Sequence, residues 1–481
     1  MFSSVVVYED SGWQRLLPLV YVRPVFDLLC GATSLLTRIE RLLRVEPVDA
    51  NRELLRETAT TAHGARNGWG TPHERPRVDG LLGDLSEEVI GRSSSIAMDS
   101  ESLAPCEQLT LWCRPLLAPV VAEHSGLAVN QIPSSPTLYL NGRYIWHKLP
   151  EAENGSWIGV CGPTGAVACV YADGELCGKL APEVLLDEIK TRALLAGLPR
   201  RDVSRCVTPI DWPWELVDHN SDLLCADWCE DDAGVAGVVS PGSHLLNPGA
   251  IHIGWGTRVK PCAVIDAEDG PVWIGENVTI YPHTYIQGPA WIGDGSLIQP
   301  GAVIHAGTTI GPVSKVGGEV EGSIIQGYSN KQHDGFLGHS YVGSWVNIAA
   351  DCINSDLKNT YGNIRVPING REVDTGRMFV GMFVGDYSKA GINVSFPTGA
   401  VIGFCSSVFA ARSPKFVPSF AWIDGDEVTR FDEQRGLAIA RKVMARRRRR
   451  MSAAEEQLFL AVRQQALAVE KQSHSDMRAR R

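Results

Sequence analysis

Branched apolar residues recur at every sixth position in the C-terminal half of the chain. The unbroken run is Ile274, Ile280, Ile286, Ile292, Ile298, Ile304, Ile310 and Val316. An α-helix with about 3.6 residues per turn would scatter these positions around its circumference, and an amphipathic strand would repeat every two residues. Three short strands per coil, joined by tight turns, instead place one branched side chain inward on each face, and successive coils stack about 4.8 Å apart. The period therefore predicts a left-handed parallel β-helix.

The six-residue period continues beyond this run, with shifts of phase. Upstream it includes Ile253, Val259 and Ile265. Downstream it resumes in two groups, which are Ile324, Phe336, Val342 and Ile348, then Met378, Val384, Ala390, Phe396, Ile402 and Val408. The polar segment 355–377 between these groups predicts an excursion loop. Long insertions in a solenoid usually lie on its functional face.

Residues 1–235 lack this period and alternate between strand-like and helix-like segments. Strands are predicted at 5–8 and 138–140, and a helix at 34–45. A second helix is predicted at 182–195, with Leu185, Ile189 and Leu194 facing inward. This alternation is typical of a Rossmann-like α/β sheet domain.

We divide the chain into an α/β domain at 1–235, an all-β β-helix at 236–425 and an α-helical basic tail at 426–481. The Gly- and Pro-rich segment 60–80 predicts a loop, and residues 211–222 predict the connection between the domains. The tail contains five consecutive arginines, Arg446–Arg450. Such a run usually forms a solvated helix face, and the alternatives are binding to an acidic surface or nucleic acid, or a contact between subunits.

The composition excludes several classes of protein. The net charge of −10 argues against general nucleic-acid binding. No stretch of 18 apolar residues predicts a membrane-spanning helix, and the N-terminus does not have the pattern of a secretory signal. The twelve cysteines form no C-x-x-C pair, as expected for thiols in a reducing compartment. We therefore expect a cytoplasmic protein.

Three segments resemble a known family. They are YEDSGWQRLLPLVYVRPVFDLLCG (8–31), DWPWELVDHN (211–220) and QGYSNKQHDGFLGHSYVGSWVNIAADCINSDLKN (326–359). They resemble the bifunctional N-acetylglucosamine-1-phosphate uridyltransferases/glucosamine-1-phosphate N-acetyltransferases, and more closely the divergent sugar nucleotidyltransferase-like branch. The resemblance implies a nucleotidyltransferase-like domain followed by an acyltransferase-like β-helix. It also implies a homotrimer, with a hexosamine phosphate, UTP and acetyl-CoA as substrates.

For nucleotidyl transfer, the resemblance implies a phosphate-binding turn after the first strand. Gly12 and Arg15 stand where the family has this turn, and Arg23 stands where a basic residue follows it. Backbone amides and basic side chains in such a turn would neutralise charge on the phosphates. A surface loop is the alternative for these residues.

The family holds Mg²⁺ for nucleotidyl transfer with a Gly-Asp pair at the end of a strand. Here Asn141-Gly142-Arg143 stand at that position, and an arginine there would oppose a divalent cation. The metal ligands are therefore open, with Asp10, Asp27 and Asp84 as the candidate carboxylates.

For acyl transfer, the resemblance assigns the general base to His333, fourteen residues before Asn347. A neutral histidine suits this task near pH 7. Lys331, Asn347 and Asn354 would contact the acceptor, while Phe336 replaces a tyrosine of the family. A hydrogen-bonded structural histidine is the alternative for His333.

Other basic residues of the β-helix have roles only by this resemblance. Lys315, Lys331 and Lys358 could substitute for the family's phosphate-binding residues. Arg412 and Lys415, which follow the final coil, would meet the phosphates of the acyl carrier, or else are solvated.

Two further alternatives remain. Some β-helix enzymes hold zinc with three histidines, but His305, His333 and His339 do not have that spacing. The chain could also be a non-catalytic sugar-nucleotide-binding or regulatory protein that keeps both folds with degenerate sites.

Overall fold

The computed structural model describes residues 2–43, 106, 108–162, 165–430 and 432–478, with side chains up to residue 470. The predicted loop at 60–80 and the candidate carboxylate Asp84 lie outside the described residues.

The N-terminal domain is built on a mixed sheet of seven strands, in the order β10-β8-β9-β6-β1-β4-β5. Its strands and those of two smaller ladders are β1 (Ser4–Tyr8), β2 (Leu29–Cys30), β3 (Thr33–Ser34), β4 (Gln108–Trp112), β5 (Ala128–Val129), β6 (Thr137–Asn141), β7 (Tyr144–Trp146), β8 (Trp157–Cys161), β9 (Ala166–Ala172), β10 (Arg200–Asp202) and β11 (Val207–Pro209). The strands predicted at 5–8 and 138–140 are therefore present as β1 and β6.

Strand β1 is central in this sheet and buried along its whole length. It pairs in parallel with β4 on one side and with β6 on the other. Because the carboxyl ends of parallel strands meet at one edge, the residues that follow β1, β4 and β6 are brought together there. We therefore expect the predicted nucleotide-binding residues to lie at this edge of the sheet.

The α-helices of the domain are Leu35–Leu43, Ala118–Ser125, Gly174–Cys177, Pro182–Leu185, Glu188–Leu194, Pro213–Asp218 and Asn220–Ala226. Short 3₁₀ helices occur at Ser11–Leu16, Val25–Asp27, Glu230–Asp232 and Pro248–Ala250. The single helix predicted at 182–195 is wrong, since the carboxylate of Asp187 caps a new helix by accepting from the amides of Ile189 and Lys190. Ile189 is consequently 82% exposed rather than inward.

The C-terminal half forms the predicted β-helix, with three stacks of parallel strands. Face 1 comprises Gly234–Val235, Ile251–Ile253, Val272–Ile274, Ala290–Ile292, Thr308–Ile310, Ile324–Ile325, Tyr341–Val342, Phe383–Val384, Val401–Ile402 and Phe416–Val417. Face 2 comprises Val238–Val239, Arg258–Val259, Thr279–Ile280, Leu297–Ile298, Lys315–Val316, Asn330–Lys331, Asn347–Ile348, Lys389–Ala390, Ser407–Val408 and Ala421–Asp424, with Glu427–Arg430 added antiparallel. Face 3 comprises His244–Leu246, Val264–Asp266, Tyr285–Gln287, Val303–Ile304, Glu319–Glu321 and Phe336–Gly338, and the pair Ile353–Asn354 and Ser395–Phe396 follows.

The inward ladder confirms the six-residue period. All eight residues of the run from Ile274 to Val316 have 0% exposure. The phase beyond this run is wrong at three positions. Ile325, not Ile324, continues the inward ladder from Ile310. Leu337, not Phe336, points into the core, and Met378 is 43% exposed while Met382 is buried. The coils that contain Ile324 and Phe336 are shorter than those of the regular run, and the hairpin is inserted before Met382, so a fixed period of six does not anticipate these inward positions.

The predicted excursion at 355–377 is an ordered β-hairpin, with Arg365–Ile368 paired to Arg371–Asp374. Its side chains Val366 and Ile368 are buried in the same core as the N-terminal domain. At its tip, Asn369 donates to the carbonyl oxygen of Gln14 at 2.8 Å. The hairpin thus joins the β-helix to the N-terminal domain.

The N-terminal domain packs against the outer side of face 1. The Asn220 side chain accepts from the amide of Gly31 and donates to the carbonyl oxygen of Gly307, both at 2.8 Å. One coil later, Gln326 donates to the carbonyl oxygen of Asp27 at 2.8 Å. In the following coil, the Tyr341 hydroxyl accepts from the amide of Leu29 at 2.9 Å. The segment 211–222 therefore connects the domains and also fastens them together.

The tail consists of two helices, Glu433–Ala445 (tail helix 1) and Ala453–Arg478 (tail helix 2). Tail helix 1 begins beside Trp422 in the last coil, where Arg435 lies over the indole ring, and ends beside Asn330. Trp422 and Asn330 are four coils apart on face 2, or about 19 Å, which matches the length of a 13-residue helix. The prediction that Arg446–Arg450 form a helix face is wrong, because they make the turn between the two helices, with Arg448 in the left-handed region.

Candidate functional site

The predicted phosphate-binding turn lies directly after β1, as the 3₁₀ helix Ser11–Leu16. Its first turn is closed by Asp10, whose carboxylate accepts from the amide of Gly12 at 3.0 Å. Gly12 is needed because a Cβ at this position would lie 2.6 Å from Nε of Arg143. The turn therefore faces a buried arginine at close range rather than an open cleft.

Arg143, which follows β6, is the centre of an ion-pair network at this edge of the sheet. Its guanidinium donates to both carboxylate oxygens of Asp10, at 2.7 and 3.0 Å, and it also pairs with Asp211. Arg15 reaches the same Asp211 at 2.7 Å. Burial by itself would raise the pKa of Asp10, but the charge and hydrogen bonds of Arg143 hold that pKa below its usual value. The network contains two arginines and two carboxylates, so its charges balance internally.

Because the charges of this network already balance, a nucleotide could bind at the predicted site only by replacing one of its ion pairs. Phosphate groups at the turn would have to draw Arg15 away from Asp211, and the side chains of both residues are about 40% exposed, so they can be reached. The carboxylate of Asp10 is already occupied by Arg143 and by Nδ2 of Asn141.

Mg²⁺ is a poor fit to the same edge. The described residues contain no group of three or more His, Cys, Asp or Glu side chains placed to hold a metal ion. The candidate Asp27 is buried, and loss of hydration raises its pKa to about 7, which disfavours the ionised form that a metal needs.

A second buried arginine closes the neighbouring part of the edge. Arg114, which follows β4, pairs with Glu9 at 3.1 Å and donates to the carbonyl oxygens of Val20 and Arg23 at 2.6 and 2.9 Å. Its guanidinium also lies 4.0 Å from the ring centre of Trp13. These contacts fix the chain that runs from the turn towards the β-helix.

Arg23 does not face the phosphate-binding turn. Its guanidinium pairs with Asp386 of the β-helix at 2.6 Å and donates to the hydroxyl of Ser344 at 3.1 Å. A role in phosphate binding would require this buried ion pair to break, so the structure gives Arg23 a place in the domain interface instead.

In the β-helix, the predicted acceptor-binding residues are not brought together. Lys331 occupies an inward ladder position between Val316 and Ile348, and Asn354 is also buried. The Lys331 ammonium donates to the carbonyl oxygens of Gly317 and His333, both at 2.7 Å. Loss of hydration lowers its pKa to about 8.

Asn354 bonds through its amide to both backbone groups of Gly338, and Asn347 lies on the outer side of face 2. Lys331 and Asn354 are therefore corrected to core residues, because their polar atoms are satisfied inside the β-helix.

His333 lies on an exposed turn between faces 2 and 3. Among the described residues, no hydrogen-bond partner orients its imidazole ring. A general base has to be held in the correct tautomer and direction, so this position lacks one element of the predicted site.

His339, at the turn from face 3 to face 1, has the orienting partner that His333 lacks. Its Nδ1 lies 2.8 Å from the carboxylate of Asp356, and its ring packs 5.3 Å from that of Phe379. The imidazole and the carboxylate are 29% and 13% exposed. A carboxylate on Nδ1 leaves Nε2 as the basic nitrogen.

Gly322, one coil earlier, keeps the reactive edge of this ring uncovered. A Cβ at this glycine, which has φ +47°, would lie 3.3 Å from Nε2 and Cδ2 of His339. From the sequence, His339 is a candidate only for a zinc site whose spacing it does not fit. The missed signal is the spacing of seventeen residues between His339 and Asp356, which is the length of one coil here, as the pairing of Asn330 with Asn347 shows.

The remaining predicted basic residues lie apart from this dyad. Lys415 pairs with Glu372 of the hairpin at 3.4 Å. Arg412 is exposed, but it bridges to Ser395 on face 3 and precedes the last strands of faces 1 and 2, so it lies within the final coil rather than after it. His305 lies 3.2 Å from Glu319.

No helix of the described residues is long and apolar enough to cross a membrane.

Comparison with known proteins gives matches in both parts of the chain. A family model described as sugar nucleotidyl transferase matches residues 5–64, and a model described as bacterial transferase hexapeptide (six repeats) matches residues 271–306. The first match contains β1 and the turn at Gly12, and the second lies within the regular ladder.

Two curated relatives have similar sequences. A bifunctional sugar-1-phosphate nucleotidylyltransferase/acetyltransferase of Sulfurisphaera tokodaii is 34% identical over 142 residues, which is 29% of this chain and 35% of the relative. The bifunctional protein GlmU of Methanococcus aeolicus is 35% identical over 194 residues, which is 40% of each protein. The chain thus spans less than half the length of these relatives. Among solved structures, LpxA from Acinetobacter baumannii aligns with 43% of this chain and 76% of its own, at 13% identity and a TM-score of 0.27.

The resemblance inferred from the sequence is confirmed, since the chain combines a sugar nucleotidyl transferase segment with a hexapeptide-repeat transferase β-helix and is similar over part of its length to bifunctional sugar-1-phosphate nucleotidylyltransferase/acetyltransferases.

Proposed function

We propose that the β-helix transfers an acyl group from a thioester carrier, acetyl-CoA, to the amino group of a sugar phosphate. His339 is the general base and Asp356 orients it. The observation that carries this proposal is the hydrogen bond between Nδ1 of His339 and the carboxylate of Asp356, beside an uncovered Nε2. The acyltransferase class is supported by the hexapeptide match and by the names of the bifunctional relatives.

In this reaction, Nε2 of His339 accepts a proton from the amine as the nitrogen attacks the thioester carbonyl carbon. The Asp356 carboxylate stabilises the imidazolium that forms. Collapse of the tetrahedral intermediate breaks the carbon–sulfur bond, and the imidazolium returns its proton to the leaving thiolate. The products are the amide and free CoA, and His339 is neutral again.

The acyl acceptor and its contacts are part of the same proposal. Asn347 stays a predicted acceptor contact from the resemblance alone, since it lies on the outer surface of face 2, away from the turn that carries His339. Arg412 stays a predicted contact to the carrier phosphates, since it is exposed on the outer surface of the β-helix. A homotrimer, in which a neighbouring β-helix would complete the acceptor pocket, is proposed from the resemblance, and light scattering on the purified protein tests it.

Nucleotidyl transfer by the N-terminal domain is the second candidate function. The family match at residues 5–64 favours it. The exchange of Arg15 from Asp211 to a nucleotide phosphate is the step that would admit UTP, and Asp10 would remain bound to Arg143. Pyrophosphate release from UTP and a hexosamine 1-phosphate tests this function, and Arg15→Gln should reduce any activity found.

The acyl-transfer proposal is tested by release of CoA thiol from acetyl-CoA in the presence of glucosamine 1-phosphate. His339→Ala should lower kcat by about 10²- to 10⁴-fold, the usual contribution of a general base. Asp356→Asn should lower kcat as well, because an amide in place of the carboxylate can favour the wrong tautomer of the imidazole.

His333→Ala is the matched comparison, because it removes the histidine that the resemblance selects. Full activity in His333→Ala with loss in His339→Ala supports the proposal, and the reverse pattern would restore His333 as the base. If the wild-type protein releases neither CoA nor pyrophosphate, the non-catalytic binding protein is the better description.

A further inference from the structure

The arginine run of the tail meets face 2 of the β-helix, whereas His339 lies at the turn from face 3 to face 1. Lys315, Asn330 and Asn347 form one outward column on face 2, in adjacent coils about 4.8 Å apart. The turn after tail helix 1 brings Arg447 onto this column, where it donates to Oδ1 of Asn330 at 2.6 Å. Asn330 in turn donates to Oδ1 of Asn347 at 3.2 Å.

The two ends of the arginine run have different electrostatic surroundings. Arg449 and Arg450 lie near Glu455 and Glu456, and their charges help to lower the pKa values of those carboxyl groups. In the part of the chain that the structure describes, Lys315, Arg446 and Arg447 form no ion pair. The carbonyl end of tail helix 1 offsets only a fraction of one charge. Three cations therefore share this place, and the described part of the chain supplies no counter-ion to them.

The pKa values of two of these groups reflect the crowding. The pKa of Lys315 is lowered, first by loss of hydration and then by the charges of Arg447 and Arg446. The pKa of Arg447 is lowered by loss of hydration and by the charge of Arg446. Both shifts oppose the charged form, so a bound anion at this place would relieve them.

Hydrogen-bond donors in the cluster are also unused. Nε of Arg447 is buried and has no hydrogen-bond partner among the residues that the structure describes. Within the described ranges, neither the ammonium of Lys315 nor Nδ2 of Asn347 has an acceptor. Buried donors in folded proteins are normally satisfied, and each orphan calls for a partner such as an ion.

We propose that Lys315, Arg446 and Arg447 form a binding site for the phosphate group of a small phosphorylated ligand. A phosphate offers several acceptor oxygens and about two negative charges at neutral pH, which suits a guanidinium, an ammonium and an amide arranged together. The site is separate from the acyl-transfer dyad, because it lies on face 2 while His339 lies at the turn from face 3 to face 1. The ligand is either inorganic phosphate or the phosphate of a sugar phosphate, and binding measurements distinguish these sources.

The test is isothermal titration of the full chain with inorganic phosphate and, separately, with a hexose 1-phosphate, both without acyl donor. Chloride at equal ionic strength is the reference. We expect Kd for phosphate to rise about tenfold in Lys315→Gln and in Arg446→Gln, since each substitution removes one charge-assisted hydrogen bond. Arg450→Gln is the matched control from the same run, and its Kd should stay within about twofold of the wild type, as expected for a surface charge outside the contact. Both tested side chains reach solvent, so neither variant should impair folding.

Equal Kd values for the two ligands identify the phosphate group alone as the ligand, and tighter binding of the hexose phosphate identifies the larger molecule. The proposal is overturned if neither ligand binds beyond the effect of chloride. It is also overturned if Arg450→Gln weakens binding as much as the other two variants, because the effect is then general charge attraction. A salt-sensitive dimer that Lys315→Gln abolishes would overturn it too, since the patch would then serve contact between copies.

Discussion

Because Arg23 and Asp386 form a buried ion pair, we expect the free energy of unfolding to depend strongly on the Asp386 carboxylate. The Asp386 side chain has 0% exposure and that of Arg23 has 12%. Besides the guanidinium, Asp386 accepts from the amide of Ser344 at 2.6 Å. Replacement by Asn keeps the shape and can keep the bond to Ser344, but it leaves the arginine charge buried without a counter-ion.

We expect Asp386→Asn to lower the free energy of unfolding by about 3–5 kcal/mol, the usual effect of removing one member of a buried pair. The double variant Arg23→Met/Asp386→Asn removes both charges, so it should lose less than Asp386→Asn alone. The pKa of Asp386 is raised, mainly because burial destabilises its charge, and this is consistent with a pair whose net contribution is smaller than the effect of breaking it.

Urea unfolding followed by tryptophan fluorescence measures these differences through the transition midpoint and slope. The reasoning is refuted if Asp386→Asn changes stability by less than about 1 kcal/mol, the range of an exposed pair. It is also refuted if the effects of the two single substitutions simply add in the double variant. Loss of UTP binding in Arg23→Met at unchanged stability would instead support the phosphate-binding role predicted from the sequence.

Three further predictions concern the core, the interface and the dyad. The pKa of Lys331 is about 10.4 in the unfolded chain and about 8 in the folded protein. Between these values the unfolded chain holds one more proton than the folded protein, so stability rises with pH. The free energy of unfolding of the wild type relative to Lys331→Met should therefore rise by up to about 3 kcal/mol between pH 8 and pH 10. Unfolding midpoints of both proteins at pH 7.5 and pH 10 measure this, and parallel pH profiles would contradict it. Asn220→Ala should lower the free energy of unfolding by about 1–3 kcal/mol, because it leaves the Gly31 amide buried without an acceptor, and a change in calorimetric Tm too small to measure would count against this. Gly322→Ala should reduce acyl transfer more than stability, since its Cβ would press on Nε2 of His339, and unchanged kcat would argue against that nitrogen as the base.

The β-helix could be predicted from the sequence because each inward position of a coil needs a branched apolar side chain, and that need repeats along the chain. From Ile274 to Val316 the repeat is regular and every prediction of burial is correct. Where coils change length the prediction is wrong, as at Met378, since the inward position then depends on how many residues a turn contains. Periodicity also cannot anticipate capping by a single side chain, which is why the helix predicted through Ile189 is broken at Asp187.

The candidate site was only partly accessible from the sequence for a related reason. Lys331 and Asn354 are polar residues in an apolar ladder, and such residues suggest a binding surface. Their partners are backbone groups of neighbouring coils, which no local pattern reveals. The His339–Asp356 pair becomes visible only when the local coil length of seventeen residues is known, because residues one coil apart lie above one another.

The contacts between the N-terminal domain and face 1 have a mechanical consequence. Asn220, Gln326, Tyr341 and Asp386 attach the domain to four successive coils, which span about 14 Å along the β-helix axis. A rotation of the domain about any one of these attachments would stretch the other three together. The N-terminal domain therefore stiffens these four coils of the β-helix. The same contacts oppose hinge motion between the two domains when a ligand binds to either of them.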